Sequence, residues 1–452
     1  MKKEGEIMRQ KLSYNEIWDA LENEGFQTFL VGGAVRDIVM GLEPEDFDLC
    51  TSARPGQIGV CISRLYPEAK INYVGVNFGV VIVDDIEVAT FRSDVYSNTK
   101  NNGDHKDVQV VFGKSIEDDL KRRDLTINAM ALSRSGELID PFGGVQDIKD
   151  KLIRFVGDPA QRIKEDANRI IRLCRFVARF DFEVNAETVE AIGENLHLVR
   201  SVAPERIRIE ILKAMKIQNA SSFFGALFFT GALEIIFPEL AACWFHVGGK
   251  HHPESVWDHI MLVGDAISTK FPLVKLSGFL HDVGKPEAWF RTKGDGFDNH
   301  HSIGADIVKE RLENLRFTNS EVKFVTNLVQ NHMRMVFDST KKSSRKTLQK
   351  LSEGDCSWRD LIRVRIADNK ANLSKHPHSI TEIKNLIRSL NVKEEVPFTV
   401  KELAVSGAEL IKEFNLVPSR IVSETQKFLL EEVLSGCDNE RSVLLDKAKS
   451  FL

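Results

Sequence analysis

Apolar positions follow two rhythms along the chain. Up to about residue 150, short apolar runs alternate with polar turns. "TFLVGG" (28–33) predicts a strand ending on a Gly-Gly turn, and "AVRDIVMG" predicts a helix closed by Gly41. "DFDLCTSA" and "VNFGVVIVDDIEVATFR" predict further strands, the second folding into a hairpin through Asp84-Asp85. From about residue 158 helical spacing takes over almost throughout. In "KEDANRIIRLCRFVARF" (164–180), Ile170, Leu173, Phe176, Val177 and Phe180 mark one apolar face. A polar stripe runs against it: Asp166, Arg169, Arg172 and Arg175. After the charged linker "NVKEE", the segment from about 396 to 452 is again helical. The polar stretch "RSDVYSNTKNNGDHKD" (92–107) predicts a mobile loop.

Bulk properties narrow the classes. A chain of 452 residues, 42% hydrophobic and 28% charged, is long enough for several ordinary globular domains. No apolar run approaches the ~18–20 residues of a membrane span. The first residues, "MKKEGEIMRQKLSYNEIW", lack a signal-peptide apolar core, so a cytoplasmic protein is expected. The six cysteines have no framework spacing and read as reduced thiols. A net charge of −5 gives no global sign of a nucleic-acid binder, so any basic surface must be local. "SVAPERIRIEILKAMK" (201–216) and "KKSSRKTLQK" (341–350) are the candidates.

Two constellations carry chemistry. In "DFD", Asp46 and Asp48 stand two apart, which on a strand places both carboxylates on one face. Such acids repel unless a divalent cation such as Mg²⁺ lies between them. Glu87 offers a third acid from a later strand. Ahead of them Gly32 and Gly33 set a strand-to-helix turn whose N–H groups suit phosphate oxygens, and Arg36 follows one turn later. The set describes two-metal nucleotidyl transfer, in which a 3′-hydroxyl attacks the α-phosphate of a nucleoside triphosphate. The second constellation is histidine-rich: eight of the twelve histidines fall between 246 and 332. His259, His281-Asp282, His300-His301, His332 and Asp368 arrive from successive helical segments. Imidazole and carboxylate together suit a borderline transition metal.

The stretches "FLVGGAVRDIVMGLEPEDFDLCTSARP", "EDDLKRRDLTINAMAL" and "LIDPFGGVQDIKDKLIRFVGDPAQRIKEDANRIIRLCRF" resemble the class II tRNA nucleotidyltransferase and bacterial poly(A) polymerase family. The match runs almost unbroken from about 28 to 240. The resemblance implies an α+β chain: a polymerase-β-like head with a mixed sheet and helices, then an elongated all-α neck, body, HD and tail region. The corresponding domains are a nucleotidyltransferase head (1–152), a helical neck and body bearing the nucleotide-selecting helix (153–245), an HD domain (246–392) and a helical tail (393–452). The resemblance assigns Asp46 and Asp48 to metal, and Gly33, Arg36 and Arg123 of "RRD" to the phosphate side.

It also makes "EDANR" (165–169) the nucleotide-reading motif. Chemistry supports this independently. Adenine and cytosine place an amine beside a ring acceptor, whereas guanine and uracil place a carbonyl there, so one carboxylate and one arginine select A and C. On a straight helix each third residue lags by about 60°, leaving Arg175 about 180° from Asp166. Asp166 and Arg169 should therefore read the base, with Arg172 and Arg175 orienting them or reaching the sugar-phosphate. Glu165 is expected to place the arginines through a local ion pair.

The order His…His-Asp…Asp is similar to that of the HD superfamily. That likeness implies a site of His259, His281, Asp282 and Asp368, with His301 and His332 as extra ligands in a two-metal version. It also implies Ni²⁺, Mn²⁺, Co²⁺ or a similar ion and phosphohydrolase activity on RNA ends. The leading expectation is template-independent addition or repair of the 3′-terminal CCA of tRNA from CTP and ATP. A-only addition, CC-only addition and poly(A) synthesis are rivals within the family. A metal-dependent HD phosphohydrolase with a non-catalytic RNA-binding head is the rival from another class.

Overall fold

The computed structural model describes residues 11–73, 75–96, 108–246, 255–333, 356–371, 400–435 and 437–452. The chain forms two compact units. One comprises Met1–Val202 with Phe229–Ala232, and the other Ala203–Phe228 with Leu233–Leu452.

The first unit is built on a mixed seven-stranded sheet of order β3-β4-β5-β2-β1-β8-β9. Its strands are β1 (Thr28–Val31), β2 (Asp48–Thr51), β3 (Ile71–Asn72), β4 (Val80–Val83), β5 (Ile86–Thr90), β8 (Ala131–Leu132) and β9 (Leu138–Ile139). Strands β6 (Arg92–Tyr96) and β7 (Val108–Phe112) pair separately, and the short β10 (Leu152–Ile153) and β11 (Glu183–Val184) pair in parallel. Strand alternation divides the core in two. Leu30, Leu49 and Val88 join the cluster made with helices α1 (Tyr14–Asn23) and α3 (Pro55–Leu65). Val31, Cys50 and Ala89 point the other way, toward Phe91, Ile116 and Leu120. The expected hairpin is present: Asp84 and Asp85 take φ values of 47° and 79°, and β4 pairs antiparallel with β5 around them.

Three local expectations change. Val76–Phe78 is a 3₁₀ turn, because Gly79 adopts a left-handed conformation (φ 74°) that ends it before β4. Arg92–Tyr96, expected as loop, is a strand paired with Val108–Phe112, and the remainder of that predicted loop, 97–107, lies outside the described residues. Strand β2 starts only at Asp48, which pairs with Val31, the last residue of β1 before the Gly32 turn. The antiparallel partner β1 ends there, and Asp46 precedes the strand.

The rest is helical. In the first unit α2 (Gly33–Val39), α4 (Ile116–Lys121), α5 (Gly144–Lys149), α6 (Pro159–Glu165), α7 (Asn168–Phe180) and α8 (Ala186–Asn195) surround the sheet region or follow it. In the second, after α9 (Pro204–Ala214), α10 (Ser221–Phe229), α11 (Ala232–Ile236) and α12 (Pro238–Ala242), come the helices of the histidine-rich region. These are α13 (Val256–Ala266), α14 (Pro272–Leu280), α15 (Lys285–Arg291), α16 (His300–Asn314), α17 (Asn319–Asn331) and α18 (Trp358–Ala371). Helices α19 (Gly407–Glu413), α20 (Arg420–Leu434) and α21 (Arg441–Phe451) enclose an apolar cluster of their own, including Leu410, Leu429 and Leu444. Five cysteines are buried and none is disulfide-bonded. The basic run 341–350 and the linker 391–395 lie outside the described residues.

One close approach fixes the start of α16. A Cβ on Gly284 would lie 2.2 Å from the His300 carbonyl oxygen and 2.5 Å from the Gly304 nitrogen. Only hydrogen fits, and backbone atoms cannot move aside as a flexible side chain can. Gly284→Ala is therefore expected to destabilise the second unit by about 1–3 kcal/mol, the cost of overpacking, and to lower its thermal unfolding midpoint.

Candidate catalytic and metal sites

In the first unit the sheet register assembles the acids. Leu49 pairs with Val88 in parallel, so Asp48 and Glu87, each one residue earlier, stand side by side on one face. Asp46 is exposed just ahead of β2. Burial, Glu87 and Asp46 together raise the Asp48 carboxyl to about 6, against the opposing pull of Arg123. Asp48 and Glu87, side by side with so little compensating charge, are hard oxygen donors of the kind a divalent cation takes, while the three acids do not converge as a ligand group among the described residues.

The phosphate turn is next to them. Gly32 takes φ 70° and ψ −129°, a conformation closed to other residues, and a Cβ there would lie 2.9 Å from Arg123 Nη1. Arg123 thus lies against the Gly-Gly turn, held by Asp119 at 3.2 Å and by the Asn128 carbonyl. Arg36 departs from expectation. It is 3% exposed, and its Nε and Nη2 donate to Asp37 while Nη1 donates to Asn128 at 2.7 Å. The rings of Phe176 and Phe180 of α7 lie under its guanidinium, at 5.6 and 4.8 Å. Arg36 ties the turn to α7, with its Nη2 against the turn itself, 3.4 Å from where a Cβ on Gly33 would lie.

The arginine stripe is also rearranged. The single helix expected over 164–180 is broken: α6 ends at Glu165 and α7 begins at Asn168. Asp166 lies in the break with extended backbone, and its Oδ1 accepts the Asn168 N–H at 3.1 Å. The 60° step from Asp166 to Arg169 therefore does not apply. The two remain adjacent through the turn, the Arg169 N–H donating to the Asp166 carbonyl. Glu165 does hold arginines as expected, Arg162 at 2.6 Å and Arg169 at 2.8 Å. Arg169 also donates to the Arg122 carbonyl. Arg172 pairs with the buried Asp124 at 2.7 Å, and Arg175 stacks over Phe176. Asn128 and Asp124 were not singled out in the sequence, although "RRDLTIN" carries both. Asn128 joins Arg36, Arg123 and Asp124.

In the second unit His259 comes from α13, His281 and Asp282 from the end of α14, and Asp368 from α18. His259 Nε2 lies 3.2 Å from Asp368 and 3.8 Å from Asp282, and His281 Nε2 lies 3.1 Å from Asp282. His332 joins them, but His300 takes the place expected for its neighbour His301. His300 Nε2 is 3.3 Å from Asp282 Oδ1 and 3.3 Å from His332 Nε2. The reason is local: His300 opens α16 against the Gly284 contact and is buried, while His301 is only half-buried. Two groups of potential ligands result, His259-His281-Asp282 and Asp282-His300-His332, sharing Asp282.

Backbone carbonyls set the tautomers. Nδ1 of His281, His300 and His332 lies 2.7–2.8 Å from the carbonyls of Gly278, Phe297 and Val329. Each Nδ1 must donate there, which directs Nε2 to the centre. His281 Nε2 and Asp282 Oδ1 are buried without a well-directed hydrogen bond, although other ligand atoms stand close. That is how ligands converging on an ion are arranged. Burial opposes ionisation of Asp282, yet His281 and Lys285 hold its pKa well below the usual carboxylate range. Burial disfavours a charged His281, but Asp282 and Asp368 outweigh it and raise its pKa, while burial lowers that of His332. The donor set fits a borderline transition metal.

Comparison with known proteins follows the same division. The family described as "Poly A polymerase head domain" matches residues 28–154, "Probable RNA and SrmB- binding site of polymerase A" matches 181–243, and "HD domain" matches 250–373. A CCA-adding enzyme of Anoxybacillus flavithermus is 33% identical over 98% of this chain and 97% of its own length. One from Ligilactobacillus salivarius is 28% identical over 96% of this chain and 95% of its own. In fold, the chain is similar to the crystal structure of the Bacillus stearothermophilus CCA-adding enzyme in complex with CTP. The TM-score is 0.61 at 24% identity, covering 96% of this chain and 97% of that one.

The Asp124–Arg172 pair yields a signed pH prediction. Burial opposes the Asp124 charge, but Arg172 and backbone contacts hold its carboxyl at about 2, below the ordinary 3.8. Its contribution is thus complete above the ordinary value and is lost as pH falls from there through about 2. Arg172→Met should cost about 1–3 kcal/mol at pH 7, because it leaves the buried Asp124 carboxylate short of a partner that is itself about one-third exposed. The variant should also lose part of the stability slope across that acid interval, read from urea unfolding at each pH.

Proposed function

The chain belongs to the family of CCA-adding enzymes, and from that premise we infer that its head builds or repairs the 3′-terminal CCA of tRNA from CTP and ATP without a template. The observation carrying this reading is the pair Asp48 and Glu87, set side by side by the β2–β5 register next to the Gly32 turn, with Asp46 two residues ahead. Asp46, Asp48 and Glu87 would hold Mg²⁺, which would supply neutralising charge for the triphosphate and for the attacking 3′-hydroxyl. The turn offers backbone N–H groups to phosphate oxygens, and Arg123, resting on that turn, adds positive charge. Arg36 positions the turn from below. Asp166 and Arg169 accept and donate at the base edge, favouring the amine-bearing A and C. Arg172 acts through Asp124, fixing the start of the reading helix against "RRD".

Relatives named for CCA addition favour the full reaction over A-only or CC-only addition. Among the described residues no helix is long and apolar enough to cross a membrane, and we place the enzyme in the cytoplasm, with tRNA. A second activity is favoured by a separate observation. The shared Asp282 and the carbonyl-fixed imidazoles form a complete ligand set, which supports a phosphohydrolase acting on RNA ends. His259, His281, Asp282 and Asp368, with His300 and His332, would hold Ni²⁺, Mn²⁺, Co²⁺ or a similar ion, which would supply an activated hydroxide.

Two experiments test the main reading. Asp48→Asn should abolish CTP and ATP incorporation into tRNA lacking CCA while RNA binding persists. Because the metal-free Asp48 carboxyl titrates at about 6, Mg²⁺ affinity measured by calorimetry should weaken as pH falls below that value, and the variant should lose this dependence. Asp166→Ala should relax discrimination against UTP and GTP more than it weakens triphosphate binding. Unchanged nucleotide choice would remove Asp166 from the base-reading role.

A further inference from the structure

Helix α15 begins three residues after Asp282 and carries two large rings near solvent. Lys285 and Trp289 are one turn apart on its surface. Lys285 Nζ lies 2.6 Å from Asp282 Oδ2 and also 5.5 Å from the centre of the Phe297 ring. Phe297 in turn packs at 5.3 Å from Trp289. The chain between them folds back onto the indole: Gly294 (φ +88°) brings its backbone against the Trp289 ring, and Thr292 Oγ1 clasps the loop by donating to the Gly296 carbonyl. The Phe297 carbonyl accepts His300 Nδ1, so the residue that builds the aromatic surface also orients a metal-facing imidazole. Trp289 nevertheless keeps 36% of its surface in water and Phe290 78%. An indole needed only to close a core would be buried more deeply.

We propose that Trp289 and Phe297 form a stacking shelf for the nucleobase of a nucleotide whose phosphate lies at the Asp282 cluster. The proposal deepens the phosphohydrolase reading and rests on it for the phosphate's position. Three observations select this class of ligand. Aromatic surface beside an anion-binding centre matches a base joined to a phosphate, and stacking tolerates any base. Lys285 bridges the shelf and the cluster, so the two are continuous. Asp295 and Asp298, exposed on the same loop, repel a phosphodiester backbone running onward, which favours a terminal nucleotide over an internal one. The occupant is therefore a terminal nucleotide whose base stacks on the shelf.

The test uses the full chain, with adenosine 3′-monophosphate as probe and glycerol 2-phosphate as its base-free counterpart. The adenosine compound should quench tryptophan emission in the metal-free protein, and Trp289→Phe should remove most of that quench, whereas glycerol 2-phosphate should produce none. With Mn²⁺ added, Trp289→Ala should lower kcat/KM for the nucleotide about tenfold, the scale of one lost stacking contact, and leave glycerol 2-phosphate turnover unchanged. Trp289→Phe, which keeps a ring and the loop packing, should retain most of the nucleotide rate. A quench that persists in Trp289→Phe, or equal loss on both substrates in Trp289→Ala, overturns the shelf. If the wild-type protein hydrolyses neither compound but the Trp289-dependent quench is present, the shelf stands and the phosphohydrolase reading falls. Hydrolysis of both without dependence on Trp289 has the opposite meaning.

Discussion

A charge removed from water must find an opposite charge or a set of dipoles, and that requirement organises both units. Asp119 is fully buried and meets Arg122 and Arg123. Asp124 meets Arg172, and Asp282 meets Lys285 and the histidines. Lys275, also fully buried, donates to the carbonyls of Gln218 and Ile267. Asp124–Arg172, Lys275–Gln218 and the Asp282 contacts with His259, His300 and His332 join segments distant in sequence, whereas the Asp119 and Lys285 pairs brace a single turn. Asp48 stands apart, because burial and the neighbouring Glu87 outweigh the pull of Arg123, and its carboxyl rises to about 6. A folded chain keeps such an imbalance where an external cation resolves it.

The Gly32 turn and the Asp166–Arg169 segment are mechanically one object. Asn128 touches Arg36, Arg123 and Asp124, and Asp124 is held by α7 through Arg172. The aromatic rings of α7 lie beneath Arg36. Two members of the arginine series are braces, Arg172 holding Asp124 and Arg175 covering Phe176, while Glu165 and the Arg122 carbonyl fix Arg169 in place beside Asp166. A base reader without a template needs this rigidity, since selection depends on donors and acceptors that stay in place when the wrong base arrives.

Much of this was legible in the sequence where a residue's role follows from local pattern. The strand before Gly32 and the Asp84-Asp85 hairpin follow from spacing, and the histidine and aspartate ligands from the likeness to the HD superfamily. What escaped depended on partners far along the chain. Asp46 fell outside β2 because β1 ends at Val31. Asp166 fell between two helices, and its own carboxylate accepting the Asn168 N–H marks the restart. Arg36 turned inward because Asn128, distant in sequence, offers an acceptor. His300 displaced His301 because Gly284 admits α16 so closely. Periodicity reports which face a residue occupies, but not which tertiary contact shifts the phase.

The carbonyl latches on His281, His300 and His332 separate the shape of the centre from its occupant. Each ring is oriented by the main chain three residues earlier, so its aim does not depend on a particular ion being bound. Ions of similar size can then replace one another without refolding, with affinity ordered by ligand chemistry more than by fit. The identity of any bound ion would then follow the cell's metal supply, and the proposed phosphohydrolase activity would rise or fall with it while nucleotide addition by the head did not.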